Sequence, residues 1–142
     1  MTIPFIDTDV IIRFLTGDDP AKQAAATALF EQVEQGLLTV AAPDTVIADA
    51  VYVLSSPRLY HLARSAVQEL LGALVQLAYF QVQNKPAVLR ALELYGSTKL
   101  DFGDTLIIAS MEQQHSHVLY SYDADFDRFE EISRQEPQVH GN

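Results

Sequence analysis

Short apolar runs alternate with longer segments of helical periodicity along the chain, and this alternation limits the folds open to it. The runs that predict strands are residues 3–6, 37–42, 77–82 and 118–122. The segments that predict helices are residues 10–15, 21–35, 46–54, 61–75, 86–95 and 101–114. Strands separated by helices form a mostly parallel sheet with helices on both faces. We therefore predict an α/β fold, a three-layer α/β/α sandwich around a central sheet.

Composition limits the class of protein further. The chain has 142 residues, of which 49% are hydrophobic and 20% charged, as expected for one globular domain. It has no cysteine, which excludes disulfides and thiolate metal sites and suits a reducing compartment. No apolar stretch reaches the roughly 20 residues of a membrane span, and no basic segment marks a signal peptide. We expect a cytoplasmic protein without membrane contact.

The net charge of −10 is concentrated in two short segments. Residues 1–20 hold four aspartates against Arg13, and residues 101–131 hold eight acidic residues against Arg128 alone. The charges in residues 21–100 balance. A uniformly acidic surface would exclude nucleic acid, because phosphates are met by Lys and Arg. Here the excess of acidic residues is confined to two segments, so it does not by itself exclude nucleic acid as a partner.

Four aspartates stand where a parallel sheet would bring them to one edge. Asp7 and Asp123 follow predicted strands, Asp104 lies in the first turn of a helix, and Asp49 lies within a helix. Ligands bind at the carboxyl ends of such strands. Grouped carboxylates repel one another and raise each other's pKa unless a cation joins them. Carboxylates without cysteine or a well-placed histidine favour Mg²⁺ or Mn²⁺.

A simpler interpretation applies to each aspartate alone, since Asp commonly caps helices and forms turns. We interpret Asp18, Asp19 and Asp44 as caps. The acidic residues at 125, 127, 130 and 131 predict a solvated face, with Asp127 a candidate outer metal ligand. Asp49 is the most informative of the four, because no cap explains an aspartate in the middle of a helix.

Four segments in order resemble the motifs of PIN-domain proteins, especially the toxin ribonucleases of VapBC-type toxin–antitoxin systems. They are residues 5–20, 43–54, 100–105 and 120–129. Each motif is short, but four in the right order are fairly specific. The resemblance runs from about residue 3 to about residue 136. It implies a single PIN-like domain over residues 1–136, followed by a short tail at 137–142.

The resemblance implies a metal-dependent endoribonuclease that cuts RNA phosphodiester bonds, is inhibited by an antitoxin protein and forms a homodimer. The Mg²⁺ or Mn²⁺ ligands it implies are Asp7, Asp104 and Asp123, with Asp49 binding directly or through water. Thr8 and Ser121 would support these carboxylates or a phosphate. Arg13 would contact RNA or antitoxin, or else anchor its own helix. For the dimer contact, the apolar residues available are Leu29, Phe30, Leu59, Tyr60 and 70–74.

Three positions depart from the family pattern. Asp9 stands where most members have Asn, and it adds negative charge beside Asp7. Asp49 replaces the usual Glu and is one methylene shorter, which reduces its reach to a metal. Ser121 replaces the more common Thr and keeps the hydroxyl. The first two changes bear on metal affinity, and a catalytically inactive PIN-like binding module is therefore an alternative function.

A second alternative is a phosphatase. Asp7-x-Asp9 is similar to the nucleophile motif of the haloacid-dehalogenase family, but Val10 and Ile11 follow where that family has Gly-Thr-Leu. That family also needs a lysine before its last acidic pair, and only Lys99 is available.

Two further sets of residues have simpler explanations than ligand binding. His115 and His117 have no third ligand in sight, so we expect them to be solvent-exposed rather than a zinc site. The aromatic residues Phe14, Phe30, Tyr79 and Phe80 lie at core spacings, which makes a base-stacking platform the weaker interpretation. With so few basic residues, we expect weak RNA binding that depends strongly on metal.

Overall fold

The structure is a computed structural model that describes residues 2–139. Within them lie six α-helices, four short strands and one 3-10 helix. The helices are α1 (Thr8–Leu15), α2 (Pro20–Glu34), α3 (Asp44–Ser55), α4 (Arg64–Val75), α5 (Lys85–Ser97) and α6 (Phe102–Gln114). The strands are β1 (Val40–Ala42), β2 (Phe80–Val82), β3 (Val118–Tyr120) and β4 (Ser133–Gln135), and the 3-10 helix is Ala124–Arg128. The predicted α/β alternation is confirmed.

The sheet is smaller than predicted and is divided in two. β1 pairs in parallel with β2, and β3 pairs in parallel with β4. The sequence did not predict strand β4. Of the predicted strand at residues 3–6, the structure keeps one parallel bridge between Phe5 and Ala41. It is supported by hydrogen bonds from Ile6 N to Ala41 O (3.0 Å) and from Ala41 N to Pro4 O (2.9 Å). Among the described residues, no strand pairing joins the two sheets.

Caps define the first two helices. Asp7 precedes α1 and its side chain accepts a hydrogen bond from Val10 N at 3.3 Å, while Asp19 accepts one from Lys22 N at 3.1 Å before α2. The caps predicted at Asp18 and Asp44 are wrong. Asp18 lies one residue too early and accepts a hydrogen bond from Tyr60 instead. Asp44 is already the first residue of α3, whose N-cap is Pro43.

Gly96 does not end α5, contrary to prediction, because the helix continues to Ser97. A Cβ atom at this position would collide with the side chain of Gln68 on α4. Close packing between α4 and α5 therefore explains this glycine. Gly36, by contrast, does follow the end of α2 as predicted and has φ +76°, the left-handed conformation that glycine adopts most readily.

Two apolar clusters hold the elements together. The larger lies among α1–α6 and the sheet of β1 and β2, and in it the rings of Phe14, Phe30 and Phe80 are in contact, at centroid distances of 4.7 and 6.0 Å. The smaller consists of Leu94, Leu100, Ile108 and Phe126, and it joins α5 and α6 to the chain around β3 and β4. The core positions predicted for Phe14, Phe30 and Phe80 are confirmed. The one predicted for Tyr79 is wrong, because this side chain is exposed before β2.

The apolar residues considered for a dimer contact divide between surface and core. Leu59 and Leu70 are exposed, whereas Phe30, Leu71 and Leu74 are buried in the larger cluster and are unavailable to a partner. The remaining surface contact is still a prediction. In the part of the chain that the structure describes, no helix is both long and apolar enough to cross a membrane.

Candidate active site

Asp104 lies at the centre of a group of carboxylates. It occupies the first turn of α6 and is half-buried. Burial raises the pKa of Asp104, and the charges of Asp123, Asp101 and Asp125 raise this pKa further. Among residues 2–139, no ion pair includes Asp104 or Asp123. The site therefore holds negative charge that the protein itself does not compensate.

The turn after β3 places Asp123 beside this helix. Asp123 N donates a hydrogen bond to Ser121 Oγ at 3.0 Å, and the Asp123 carboxylate accepts one from Asp125 N at 2.9 Å. Ser121, predicted to support a carboxylate or phosphate, thus shapes the backbone of the turn. The Asp123 carboxylate also caps the 3-10 helix and remains exposed. Asp123 is thus a helix cap and at the same time a candidate metal ligand. One role does not exclude the other.

Asp7 and Asp49 are positioned by α1 and α3. Thr8, the first residue of α1, donates a hydrogen bond from Oγ1 to Val46 O on α3 at 3.4 Å. Asp49 follows Val46 by three residues, so it lies on the same side of α3. This contact brings the start of α1, with Asp7 before it, toward the helix side that carries Asp49. Both carboxylates are exposed.

Of the four predicted aspartates, Asp104 and Asp123 are the two whose charges the structure brings together. The charges that act on Asp104 come from Asp123, Asp101 and Asp125, not from Asp7 or Asp49. Within residues 2–139, no group of three or more His, Cys, Asp or Glu side chains is arranged to hold a metal ion. Full assembly of the four-carboxylate site is still a prediction.

The donor chemistry nevertheless fits a hard divalent cation. Every candidate ligand is a carboxylate, and the chain offers no thiolate. Burial is the main reason that the pKa of Asp104 is raised, and the charges of Asp123, Asp101 and Asp125 add the effect expected of carboxylates that face one another without a cation. Oxygen-only ligands of this kind suit Mg²⁺ or Mn²⁺ better than Zn²⁺. The residues that would hold such an ion are Asp7, Asp49, Asp104 and Asp123.

The two supporting charges predicted from the sequence are engaged within the protein. Arg13 pairs with Asp9 and with Asp18, both at 3.4 Å, although its Nε has no well-directed hydrogen bond. Asp127 accepts two hydrogen bonds from Arg134, at 2.9 and 3.3 Å. Arg13 thus links α1 to the loop before α2, and the Asp127 carboxylate already has a partner.

Sequence reasoning missed two features near these residues. It assigned Asp125 to a solvated face and gave Asp101 no role, yet both charges act on Asp104. The effect of Asp101 on Asp104 could have been predicted, because Asp101 stands at the start of the predicted helix, three residues before Asp104. The second feature is the hydrogen bond from Tyr60 Oη to Asp18 Oδ2 at 2.7 Å, which joins residues far apart in the chain. No local pattern reports such a contact.

His115 and His117 are exposed, as predicted. They line a cavity of about 250 Å³ that also includes Glu112, Glu131 and several apolar side chains. His117 Nδ1 lies 3.2 Å from the carbonyl oxygen of Glu131, which orients this ring toward the chain before β4.

Comparison with known proteins adds two findings. A family model described as PIN domain matches residues 5–132 of the chain. A protein named VapC ribonuclease, from Aquifex aeolicus (strain VF5), is 29% identical over 101 residues. The aligned region covers 71% of this chain and 73% of that protein.

Proposed function

The chain belongs to the PIN domain family, and from this premise we propose that it is a VapC-type toxin, a metal-dependent endoribonuclease that hydrolyses RNA phosphodiester bonds. The observation that carries the proposal is the uncompensated negative charge around Asp104 and Asp123. The similarity to a protein named VapC ribonuclease supports the ribonuclease activity. The proposed domain spans residues 1–136, with residues 137–142 as a tail.

Each carboxylate has a defined part in this proposal. A bound Mg²⁺ or Mn²⁺ would activate water and neutralise charge on the phosphate oxygens. This ion would be held by Asp104 in the first turn of α6, Asp123 in the turn after β3 and Asp7 before α1. The hydrogen bond from Val10 N limits the orientations open to the Asp7 carboxylate. Asp49, shorter than the usual Glu, would bind the ion directly or through a water molecule.

Substitution of two ligands tests the catalytic proposal. We expect Asp7→Asn and Asp104→Asn each to reduce cleavage of single-stranded RNA more than about 100-fold, because each removes a charged metal ligand. Cleavage by the wild type should require Mg²⁺ or Mn²⁺ and stop on chelation. Products are separated on a denaturing gel, and circular dichroism checks that each variant is folded.

Asp19→Asn is the matched control for these variants. It removes the same charge from a nearby helix cap, and Asn caps helices as well as Asp does. Cleavage should be unchanged in this variant. Equal cleavage by Asp7→Asn and the wild type, or no cleavage by wild-type protein free of any inhibitor, would refute the ribonuclease proposal.

The two alternative functions give different results in the same preparations. A PIN-like binding module would bind RNA or a protein without cleaving either, and the exposed position of the short Asp49 side chain is the observation that favours it. A phosphatase would instead release phosphate from a small aryl phosphate. We expect no such release from the wild type.

The proposal includes partners and location. An antitoxin protein would inhibit the enzyme, two copies would form a homodimer, and the protein would act in the cytoplasm, where its RNA substrate is found. Leu59 and Leu70 are the exposed apolar residues available for the dimer. Sedimentation of the purified protein measures its oligomeric state directly, and a single monomeric species at micromolar concentration would contradict the dimer.

A further inference from the structure

Five aromatic side chains of this chain are exposed to solvent. The exposed fractions are 70% for Phe5, 73% for Tyr52, 47% for Tyr79, 66% for Tyr120 and 71% for Tyr122. Aromatic rings carry large apolar surfaces, and burying them is favourable. Rings left in water at these positions are therefore available to stack on a flat partner.

Four of the five rings belong to residues that lie close along the chain to the candidate metal ligands. Phe5 precedes Asp7 by two residues of extended chain, which places both side chains on one face. Tyr52 follows Asp49 by three residues of α3 and shares its side of the helix.

The other two rings belong to the chain that leads into Asp123. Tyr120 ends β3, and Tyr122 directly precedes Asp123. We call Phe5, Tyr52, Tyr120 and Tyr122 the aromatic set. Each of Asp7, Asp49 and Asp123 therefore has a member of this set within three residues of it.

Tyr79, the fifth exposed ring, has a structural role. It precedes β2, at the opposite end of that strand from the one where ligands bind in parallel sheets. Its ring lies against Gly36, where a Cβ atom would come within 3.0 Å of Tyr79 Cε2. Tyr79 thus covers the turn after α2 and serves as a control for the aromatic set.

A cavity adjoins one member of the set. Tyr120 forms part of an open cavity of about 730 Å³, whose other lining residues are Arg134, Gln135, Glu136, Pro137 and Gln138. Glutamine amides and a carboxylate are groups that hydrogen-bond to the edges of nucleobases. A ring beside such groups is the combination that proteins use to hold an unstacked base.

Charge gives an independent reason to look for contacts with bases. Proteins normally hold RNA by its phosphates with Lys and Arg, yet this chain has 9 basic against 19 acidic residues. Two of the arginines near the acidic residues are engaged, since Arg13 pairs with Asp9 and Asp18 and Arg134 with Asp127 and Glu136. Binding energy that the phosphates do not supply can come from stacking, which depends little on sequence or charge.

We propose that the aromatic set binds the bases of single-stranded RNA by stacking and that the cavity beside Tyr120 holds one unstacked base. The proposal rests on the ribonuclease function proposed above and specifies how its substrate is held. Duplex RNA is excluded as the favoured substrate, because its bases are already stacked on one another.

Binding experiments test the aromatic set separately from catalysis. The probe is a fluorescein-labelled single-stranded oligoribonucleotide, compared with an abasic strand of the same length, and affinity is measured by fluorescence anisotropy with Mg²⁺. The parent protein is Asp104→Asn, so that the RNA stays intact. Tyr52→Leu, Tyr120→Leu and Tyr122→Leu should each weaken binding by about five- to a hundredfold.

Two further variants serve as controls, one that keeps the aromatic ring at Tyr120 and one that removes a ring outside the aromatic set. Tyr120→Phe keeps an aromatic face and should bind like the parent, whereas Tyr120→Leu keeps only apolar bulk. Tyr79→Leu removes an exposed ring away from the acidic residues and should leave affinity unchanged. The abasic strand should bind the parent more weakly than the complete RNA does, since it keeps the phosphates and lacks the stacking surfaces. Thermal melting confirms that every variant is folded.

The outcomes separate this proposal from the one on which it rests. If the wild type cleaves RNA but the leucine variants bind like the parent, stacking is refuted and the ribonuclease function stands. If the leucine variants lose base-dependent binding but the wild type never cleaves, stacking stands and the catalytic proposal fails. Equal affinity for the complete and abasic strands would also overturn stacking, and it would leave the aromatic set as a surface for a protein partner.

Discussion

Asp104 has an environment that disfavours the charged form of its carboxyl group. Its half-buried carboxyl faces Asp123, Asp101 and Asp125, and burial raises its pKa first, followed by these charges. The protein thus keeps a destabilising arrangement at the position where a cation is proposed to bind. Local strain of this kind is commonly found at functional sites.

We predict that Asp104→Asn stabilises the protein when divalent ions are absent. The raised pKa means that the unfolded chain loses this proton at lower pH than the folded one, so the destabilisation develops as pH rises above about 3.8, the ordinary pKa of an aspartate. At neutral pH the gain should be roughly 0.5 kcal/mol, or about 2 °C in Tm, since solvent screens much of the repulsion. At acid pH the difference should vanish.

Thermal melts of Asp104→Asn at pH 7 and near pH 3 test this prediction, with Asp19→Asn as the control. The control keeps its helix cap and should melt like the wild type at pH 7. A lower Tm for Asp104→Asn than for the wild type at neutral pH would mean that the carboxylate makes a favourable contact instead.

Tyr60 provides a second test at the scale of single residues. Its hydroxyl donates a hydrogen bond to Asp18 Oδ2 at 2.7 Å, and this bond is the main reason that the pKa of Asp18 is lowered. We predict that Tyr60→Phe lowers Tm at neutral pH. A lowered pKa stabilises the fold above the unfolded pKa, and this stabilisation disappears as pH falls through the folded pKa.

Melting curves of Tyr60→Phe and the wild type should therefore converge as the pH falls below about 3.8. Tyr60→Leu is a less suitable variant, because it also changes packing against the larger apolar cluster. A difference in Tm that is independent of pH would show that Tyr60 acts through packing and not through Asp18.

At the scale of elements, local signals predicted helices better than strands. Helix α2 begins at Pro20 after its Asp19 cap and ends before Gly36, all of which are local signals. The strands are only three residues long, and their bounds depend on which backbone lies beside them. β4 was not predicted, because the charged sequence around Arg134 has no apolar alternation.

Two glycines provide a matched test of element geometry. Gly36 has φ +76°, and a Cβ would approach Tyr79 Cε2 to 3.0 Å, whereas a Cβ at Gly72 within α4 meets nothing within 4 Å. We predict that Gly36→Ala destabilises the protein by about 1–2 kcal/mol, since alanine is strained there. Gly72→Ala should stabilise it by about 0.5–1 kcal/mol through helix propensity.

Urea denaturation measures both changes as shifts in the unfolding midpoint. The two variants are expected to move this midpoint in opposite directions, although the chemical change is the same. A shift in one common direction would indicate that the unfolded chain, and not the geometry of these two positions, determines the effect.

The whole molecule consists of two apolar clusters whose connection passes through α5 and α6. The larger cluster holds α1 to α6, and the smaller one, around Phe126, holds β3 and β4 to Leu94, Leu100 and Ile108. Asp7 and Asp49 belong to elements of the larger cluster, Asp104 lies on α6, which contributes to both, and Asp123 lies next to the 3-10 helix that carries Phe126. Stability of the smaller cluster thus determines where Asp123 lies.

We predict that Phe126→Ala, which removes a buried ring from the smaller cluster, loosens residues 117–135 more than the rest of the chain. The loss of packing should be about 3–5 kcal/mol, and RNA cleavage should fall with it. Hydrogen exchange followed by mass spectrometry should show faster exchange in β3 and β4 while α1 to α4 stay protected.

The conservative variant Phe126→Leu should show the same pattern with a smaller effect, because it keeps most of the apolar volume. Uniformly faster exchange across all helices would contradict this prediction, since it would mean that the two clusters unfold as one cooperative unit.

The sequence by itself determined the features that depend on nearby residues. These are the order of the helices, the Asp19 cap, the Gly36 turn and the acidic segments that contain Asp104 and Asp123. Such features follow from backbone geometry and side-chain chemistry within a few residues.

Only the tertiary structure decided which distant groups meet. It paired Arg134 with Asp127 and joined Tyr60 to Asp18. It also divided the sheet in two and brought Asp101 and Asp125 close enough to Asp104 for their charges to raise its pKa. It also left Phe5, Tyr52, Tyr120 and Tyr122 in water beside the acidic residues. These outcomes depend on how whole elements pack, and packing sums many small contacts between residues far apart in the chain.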